Sequence, residues 1–336
     1  MSTFGITKNQ SSWYPLMSKL NTHFVDFVKE QSKRSLLVPF SFLLLTLAYP
    51  GHNHLQSIVL TPGPVFTSQK IEIALADYPL SDGDVPPGVT STSYIVQDIS
   101  SKTVIAQRRP DVVLPPASIT KLMTALVALE TWPDKNTVLT VQNEDRAIGQ
   151  TIELSKGDQL SVDSLLHGLL IHSGNDAALT LADNYTGGYS AFVAAMNQKA
   201  KDLNLLSTVY KNPSGIDQYG HLTSARDIAT LASVALTNPY IQGVVAKEKA
   251  TITDVTSTKT YELESTDELL SVLPGLVGGK TGWTTGAGEC FVSYVERDGR
   301  GIITVVLGSV DRFADTTRLV EWVYAHHTWI VPDVSL

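Results

Sequence analysis

Ser118-Ile119-Thr120-Lys121 places a hydroxyl and an amine three residues apart. If a helix begins near Ser118, positions i and i+3 share a face and the two side chains can meet. A serine hydroxyl is a weak nucleophile at neutral pH. A neutral lysine amine within hydrogen-bond reach can take its proton, provided burial or a second cation lowers the lysine pKa. Ser173-Gly174-Asn175 offers a second hydroxyl and an amide two residues apart, at a break between two helical segments. On a short loop both can point into one cleft, the hydroxyl to relay a proton and the amide to position a lysine or bind a carbonyl. Gly278-Gly279-Lys280-Thr281-Gly282 opens a stretch, residues 278–288, in which five of eleven residues are glycine. Such a stretch lets another backbone approach closely. Lys280 adds a positive charge and Thr281 a hydroxyl, a pair suited to a carboxylate. A phosphate-binding P-loop is excluded, because Pro274 stands where its first glycine is required.

Taken singly, these are a capping serine with a solvated lysine, an ordinary turn and a glycine-rich loop. Each pattern occurs once, however, in this order and separated by 55 and 107 residues. That set resembles the motifs of penicillin-binding proteins and serine β-lactamases. Within it, PPASITKLMTALVALE, LLIHSGNDAALTLAD, NPSGIDQYGHLTSARDIATLA and GLVGGKTGWTTGAGECFVS resemble the D-alanyl-D-alanine carboxypeptidases, the low-molecular-mass penicillin-binding proteins. The resemblance spans roughly residues 90–330.

The resemblance implies a serine-type peptidase that removes the terminal D-alanine from peptidoglycan stem peptides and is acylated covalently by penicillin. It implies Ser118 as nucleophile, Lys121 as general base, and Ser173 and Asn175 as relay and orienting groups. Lys280 and Thr281, with Arg312, would hold the substrate carboxylate. An oxyanion hole would use the backbone N–H of Ser118 and that of Trp283 or Thr284, just after Gly282. Trp283 would also shape substrate selection. No metal or cofactor is expected. Two relatives in chemistry remain open on the same machinery. A class A β-lactamase would need a glutamate in an E-x-x-L-N pattern, which is absent between the second and third motifs. A D,D-endopeptidase would share every motif. A non-catalytic peptidoglycan-binding domain would be marked by loss of Ser118, Lys121 or Lys280, and all three are present.

The elements that must position these residues are legible in outline. SYIVQD and TVIAQR alternate around ISSK and predict a hairpin. Thr120–Glu130 has helical apolar spacing after Pro115-Pro116. Further helices are predicted at 162–171, 177–184, 189–203, 224–236 and 314–326, and strands at CFVSYVE and GIITVVLGS around the turn RDGR. Strands at both ends with helices between them predict an α+β domain whose antiparallel sheet joins N- and C-terminal strands. The resemblance makes that fold β-lactamase/transpeptidase-like, with an all-helical subdomain. His172, His221, the His326-His327 pair and Cys290 read as structural residues.

The chain has 336 residues and a net charge of −8, which excludes a basic nucleic-acid binder. Hydrophobic residues make up 43%, enough for a large core, and a lone cysteine excludes a disulfide framework. The charge is uneven. Residues 1–34 carry a net +3, which leaves −11 to residues 35–336. Ser35–Tyr49 has no charge and comes after Lys29, Lys33 and Arg34. This predicts a basic cytoplasmic tail (1–34) and a signal anchor or signal peptide (35–51), with export of residues 52–336. Residues 52–90, rich in Pro, Gly, Ser and Asp, read as a linker with one short ordered piece, and residues 91–330 as the catalytic domain. The resemblance adds that many family members carry a further β-rich domain and an amphipathic anchor beyond the catalytic one. The sequence stops soon after Trp322, so attachment is expected through the N-terminal run.

Overall fold

The computed structural model describes residues 76–142 and 147–332, together with Ser41, Leu43 and Leu44, which are helical. The rest of the predicted tail, apolar segment and linker lies outside the described residues. Among those described, no single helix is long and apolar enough to cross a membrane. The described residues from 76 onward gather into one compact unit.

The centre is a five-stranded antiparallel sheet. Its strands are β2 (Ser93–Asp98), β3 (Val104–Arg108), β8 (Leu276–Thr284), β9 (Gly288–Arg297) and β10 (Arg300–Ser309), in the order β3-β2-β10-β9-β8. N- and C-terminal strands therefore do join, as predicted. Both predicted hairpins form. Asp98 closes the first by accepting from the backbone N–H and hydroxyl of Ser101, each at 2.7 Å. In RDGR, Asp298 and Gly299 both take positive φ, the twist that suits a two-residue hairpin between right-twisted strands.

Helices α1 (Thr120–Thr131), α2 (Val162–Leu170), α3 (Asn175–Asp183), α4 (Gly188–Asp202), α5 (Ala225–Ala235) and α6 (Pro239–Val245) lie between the two halves of the sheet in sequence. α1 is buried on nearly every side from Thr120 to Ala128, as befits a helix inside other helices. α5 packs on β2, β9 and β10. On the opposite face, α7 (Arg312–His326) packs against β9 and β10 and seats Leu319, Val320 and Val323 in a second core with Val295, Ile302 and Val306. Caps place these helices. Ser161 accepts from Ser164 N, Ser224 from Asp227 N and Asp311 from Ala314 N, each satisfying a backbone donor that the first turn leaves open.

Beyond the predicted elements, the structure adds α6, which opens on the capping pair Asn238-Pro239, and the short pairs β4 (Val138–Thr140) with β5 (Gln159–Ser161), and β6 (Lys249–Thr253) with β7 (Thr260–Glu264). The ordered piece in the predicted linker is β1 (Tyr78–Ser81), paired antiparallel with β11 (His327–Ile330) at the end of α7. Residues 90 and 91 are held by buried Asp315, which accepts from Thr90 N, Thr90 Oγ1 and Ser91 N at 2.7–2.9 Å.

Candidate active site

The chain enters α1 through a 3-10 turn, Ala117–Ile119. Ala117 has φ +48°, a conformation disfavoured for a residue with a Cβ, and its neighbours hold it there. Gly215 (φ +89°) lies so close beneath it that a Cβ would come within 1.9 Å of the Ala117 carbonyl oxygen. The segment 212–216 is thereby docked on α1. Asn212 Oδ1 accepts from Gly215 N at 2.7 Å, and Thr124 Oγ1 donates to the Pro213 carbonyl at 2.6 Å. The turn ends with Ser118 at the cleft and Lys121 one helical turn on, fully buried, its Nζ 2.8 Å from Ser118 Oγ. The same Nζ donates to the Ser214 carbonyl at 2.8 Å. Burial, and then the positive charge of Lys280, push the Lys121 pKa well below the ordinary lysine value.

Ser173 also has positive φ (+62°), on the tight turn that links α2 to α3. Its Oγ lies 3.0 Å from Lys280 Nζ, so a second Ser–Lys pair stands across the cleft from the first. Helix α3 begins at Asn175, two residues before the position the apolar spacing suggested, because Gly174 serves as its N-cap. Asn175 Nδ2 donates to the Ile148 carbonyl at 2.6 Å. Its Oδ1 is buried without a partner. Asp176 anchors the turn by accepting from Ile152 N, Leu154 N and Ala177 N at 2.9–3.0 Å.

Lys280, Thr281 and Gly282 lie on β8, the edge strand whose unpaired side faces the nucleophile. Lys280 is buried and also donates to the Thr281 carbonyl at 3.1 Å. Burial, then repulsion from Arg312, bring its pKa down to about 7. Thr281 Oγ1 meets Thr266 Oγ1 at 2.5 Å. Arg312, the first residue of α7, reaches back so that Nη1 contacts the Gly282 carbonyl at 3.4 Å, while its Nε is buried and unpaired. Trp283 is 62% exposed on the rim, and Thr284 turns its hydroxyl to Asp217 Oδ1 at 2.6 Å. Ser118, Ser173, Asn175, Thr281, Gly282, Trp283, Thr284 and Arg312 line one cleft of about 610 Å³, and the two buried lysines approach it from behind through their serine partners.

The sequence profile of the family described as D-alanyl-D-alanine carboxypeptidase (peptidase S11) matches residues 82–311. The chain belongs to this carboxypeptidase family. A D-alanyl-D-alanine carboxypeptidase of Mycobacterium tuberculosis is 34% identical over 72% of this chain and 86% of its own length. A D-alanyl-D-alanine endopeptidase of Pseudomonas aeruginosa is 32% identical over 83% of this chain and 91% of its own. The crystal structure of a Streptomyces DD-transpeptidase superposes with a TM-score of 0.69 at 29% identity, over 72% of this chain and all of that one. The fold is accordingly that of penicillin-binding proteins, and the protein is a serine hydrolase of the D-alanyl-D-alanine carboxypeptidase family.

Within this S11 family fold, the cleft also includes Ile148, Gln150, Ile216, Asp217 and Thr266, which no motif marked. They come from three loops distant in sequence, and only Asp217 and Ile216, inside NPSGIDQYGH, sit in a segment that the family resemblance marks. His221 accepts from Lys211 N through Nδ1 and therefore donates from Nε2 to Thr120 Oγ1 at 2.9 Å. Burial lowers its pKa to about 4, so it is a neutral strut under the nucleophile helix. His172 hydrogen-bonds Gln150 and the Glu264 carbonyl. Cys290 is fully buried on β9 and free.

Proposed function

We propose that Ser118 carries out acyl transfer on peptides ending in D-Ala-D-Ala. Ser118 Oγ attacks the carbonyl carbon of the penultimate residue while Lys121 Nζ takes its proton. The C–N bond then breaks, the departing amine receives a proton, and D-alanine leaves. Water attacks the resulting ester, freeing the shortened peptide and restoring Ser118. The 2.8 Å contact between Ser118 Oγ and the buried, pKa-depressed Lys121 carries this reading, because it supplies a neutral base where the nucleophile stands.

The other roles come from position. Arg312 is the only lysine or arginine among the described residues that line the cleft, and with Thr281 and the buried Lys280 beside it that end suits the terminal carboxylate. Ser173, bonded to Lys280, relays the proton to the leaving amine, and Asn175, on the cleft wall beside it, orients the groups there. The backbone N–H of Ser118 and that of Trp283 or Thr284 stabilise the oxyanion, worth a few kcal/mol of barrier. The free edge of β8 receives the peptide as an added strand. β-Lactams acylate the same serine.

Residues 91–330 act as the catalytic domain outside the cytoplasm. The basic tail and uncharged segment 35–51 support an N-terminal membrane anchor or a signal peptide, and the N-terminal residue of membrane-extracted protein distinguishes them. The enzymatic reading is tested with a pentapeptide ending in D-Ala-D-Ala and a cross-linked dimer peptide. D-alanine release and fluorescent-penicillin labelling, both abolished by Ser118→Ala, are expected. Cleavage of the dimer alone would make the enzyme an endopeptidase, and absence of release, cleavage and labelling would end the reading.

A further inference from the structure

Asp267 lies in the link between β7 and β8, 7% exposed and off the cleft wall. Its Oδ1 accepts from Leu269 N at 3.0 Å, and its own N donates to Ser265 Oγ at 3.1 Å. Its Oδ2 is buried with no partner. A bare buried carboxylate oxygen is costly, and the turn that carries it needs only Oδ1.

This turn abuts the cationic end of the cleft. Thr266, the residue before it, meets Thr281 Oγ1 through its own Oγ1 at 2.5 Å. Leu269 sits in the second core with Phe291, and Phe313 packs against that same core with the Arg312 guanidinium 4.7 Å from its ring centre. Arg312 Nε is buried and unpaired. An orphan acceptor and an orphan donor thus stand behind one end of the cleft. The charges that act on Asp267 are Lys280 from β8 and Arg312 from α7, which favour its ionised form, and Glu268 of its own turn, which opposes it. Lys280 is repelled by Arg312 and attracted by Asp267. Lys121 on α1 is repelled by Lys280 and attracted by Asp176, and Arg312 N donates to Glu289 Oε2 at 2.9 Å. Asp267 is therefore the carboxylate that offsets the repulsion between Lys280 and Arg312.

We propose that Asp267 is a positioning residue that works from behind the cleft, keeping Lys280 in its ammonium form beside Arg312 so that the pair can receive the substrate carboxylate. The inference rests on the carboxypeptidase reading and adds a group to its carboxylate anchor. Asp267 touches neither the substrate nor the reacting atoms. Burial, then Arg312, bring the Lys280 pKa down to about 7, and the charge of Asp267 opposes both. Burial raises the Asp267 pKa to about 6, so its support is present above that pH and absent in acid. Without the carboxylate, Lys280 gives up its proton at lower pH.

The experiment measures kcat/KM for D-alanine release from Nα,Nε-diacetyl-L-Lys-D-Ala-D-Ala, and the second-order rate of acylation by a fluorescent penicillin, from about pH 5 to 10. It compares wild type, Asp267→Asn, Lys280→Arg and the double variant. Asp267→Asn keeps the shape of the side chain and removes its charge. It should move the alkaline limb of both profiles down by about one pH unit, yet match wild type within about twofold near pH 5, where the carboxyl already holds its proton. Arginine does not lose its charge in this range, so adding Asp267→Asn to Lys280→Arg should leave the limb in place. An unmoved limb, an equal loss at every pH, or the same downward shift in the Lys280→Arg background overturns the proposal. If wild type is acylated but releases no D-alanine, the carboxypeptidase reading fails and the acylation profiles still decide the role of Asp267. If wild type is neither acylated nor active, both fail together.

Discussion

Gly282 faces Ser118 so closely that a Cβ on the glycine would lie 2.9 Å from the Ser118 backbone nitrogen and 2.9 Å from the Ala117 Cβ. The glycine of the third motif thus sets the spacing between β8 and the nucleophile turn. Every proposed role depends on that spacing, since the nucleophile belongs to the turn and the carboxylate anchor to the strand.

Gly282→Ala should therefore push the strand and the turn apart by a few tenths of an ångström. Acylation by a fluorescent penicillin should slow by roughly 10²-fold, because small displacements of reacting groups are costly. Overpacking should also lower stability by about 1–3 kcal/mol. Stopped-flow labelling and thermal melts measure the two effects. Unchanged labelling would mean that the strand does not align the substrate.

The two lysines need opposite protonation states, and this sets the pH profile. Lys121 must be neutral to accept a proton, so kcat/KM rises with pH through its depressed pKa. Lys280 must be charged to attract the carboxylate, so kcat/KM falls as pH passes about 7 in the free enzyme. Bound substrate holds the Lys280 proton, so the alkaline limb of kcat should lie higher than that of kcat/KM. Lys280→Arg should move the alkaline limb of kcat/KM upward by a pH unit or more, whatever the loss in rate. Full profiles for both proteins decide this, and an unmoved limb would assign it to another group.

Asp267 should weaken the fold at neutral pH. Its Oδ1 accepts from Leu269 N, but its Oδ2 is buried without a partner. Burial raises its pKa from an ordinary 3.8 to about 6, against the pull of Lys280 and Arg312. Between those values the folded state keeps a proton that the unfolded chain has lost. Stability from this group is therefore greatest in acid and falls as pH rises through about 6, by on the order of 2–3 kcal/mol. Asp267→Asn should raise Tm at pH 8 by several degrees and gain little at pH 4.5. Equal shifts at both pH values would refute the ionisation account.

Cys290 should be chemically silent. It is fully buried between β8 and β10, and burial pushes its thiol pKa up to about 11. Little thiolate forms at neutral pH, and reagent cannot reach it. A thiol-specific chromophore should titrate one group in denaturant and almost none in the native protein, with activity unaffected. Fast native labelling would contradict this environment.

Much of the fold was legible because its signals are local. The β2–β3 and β9–β10 hairpins come from alternation and turn residues, and α1 from apolar spacing after a proline pair. The short strands β1, β4, β5, β6 and β11 were not legible, because a few residues leave little period to read and the partner of β1 lies at the far end of the chain; β7 does alternate, over Thr260–Glu264, but so short a run does not stand out alone. The cleft divides the same way. Ser118, Lys121, Ser173, Asn175 and Lys280 stand in compact patterns, whereas Thr266 and Gln150 reach the cleft from segments with no pattern of their own.

Sequence alone determined the two hairpins, the main helices between them, the three motifs and the family. Helical spacing suffices to put Ser118 and Lys121 on one face, and strand spacing to put Lys280 near Gly282. What only the tertiary structure decided is how these pieces meet. Two serines each face a buried lysine, 2.8 and 3.0 Å apart, and Gly215 and Gly282 bring backbone against the nucleophile turn. Burial is a property of the packed chain. It lowers both lysine pKa values and raises that of Asp267, so the chemistry available to these residues exists only once distant segments have closed around them.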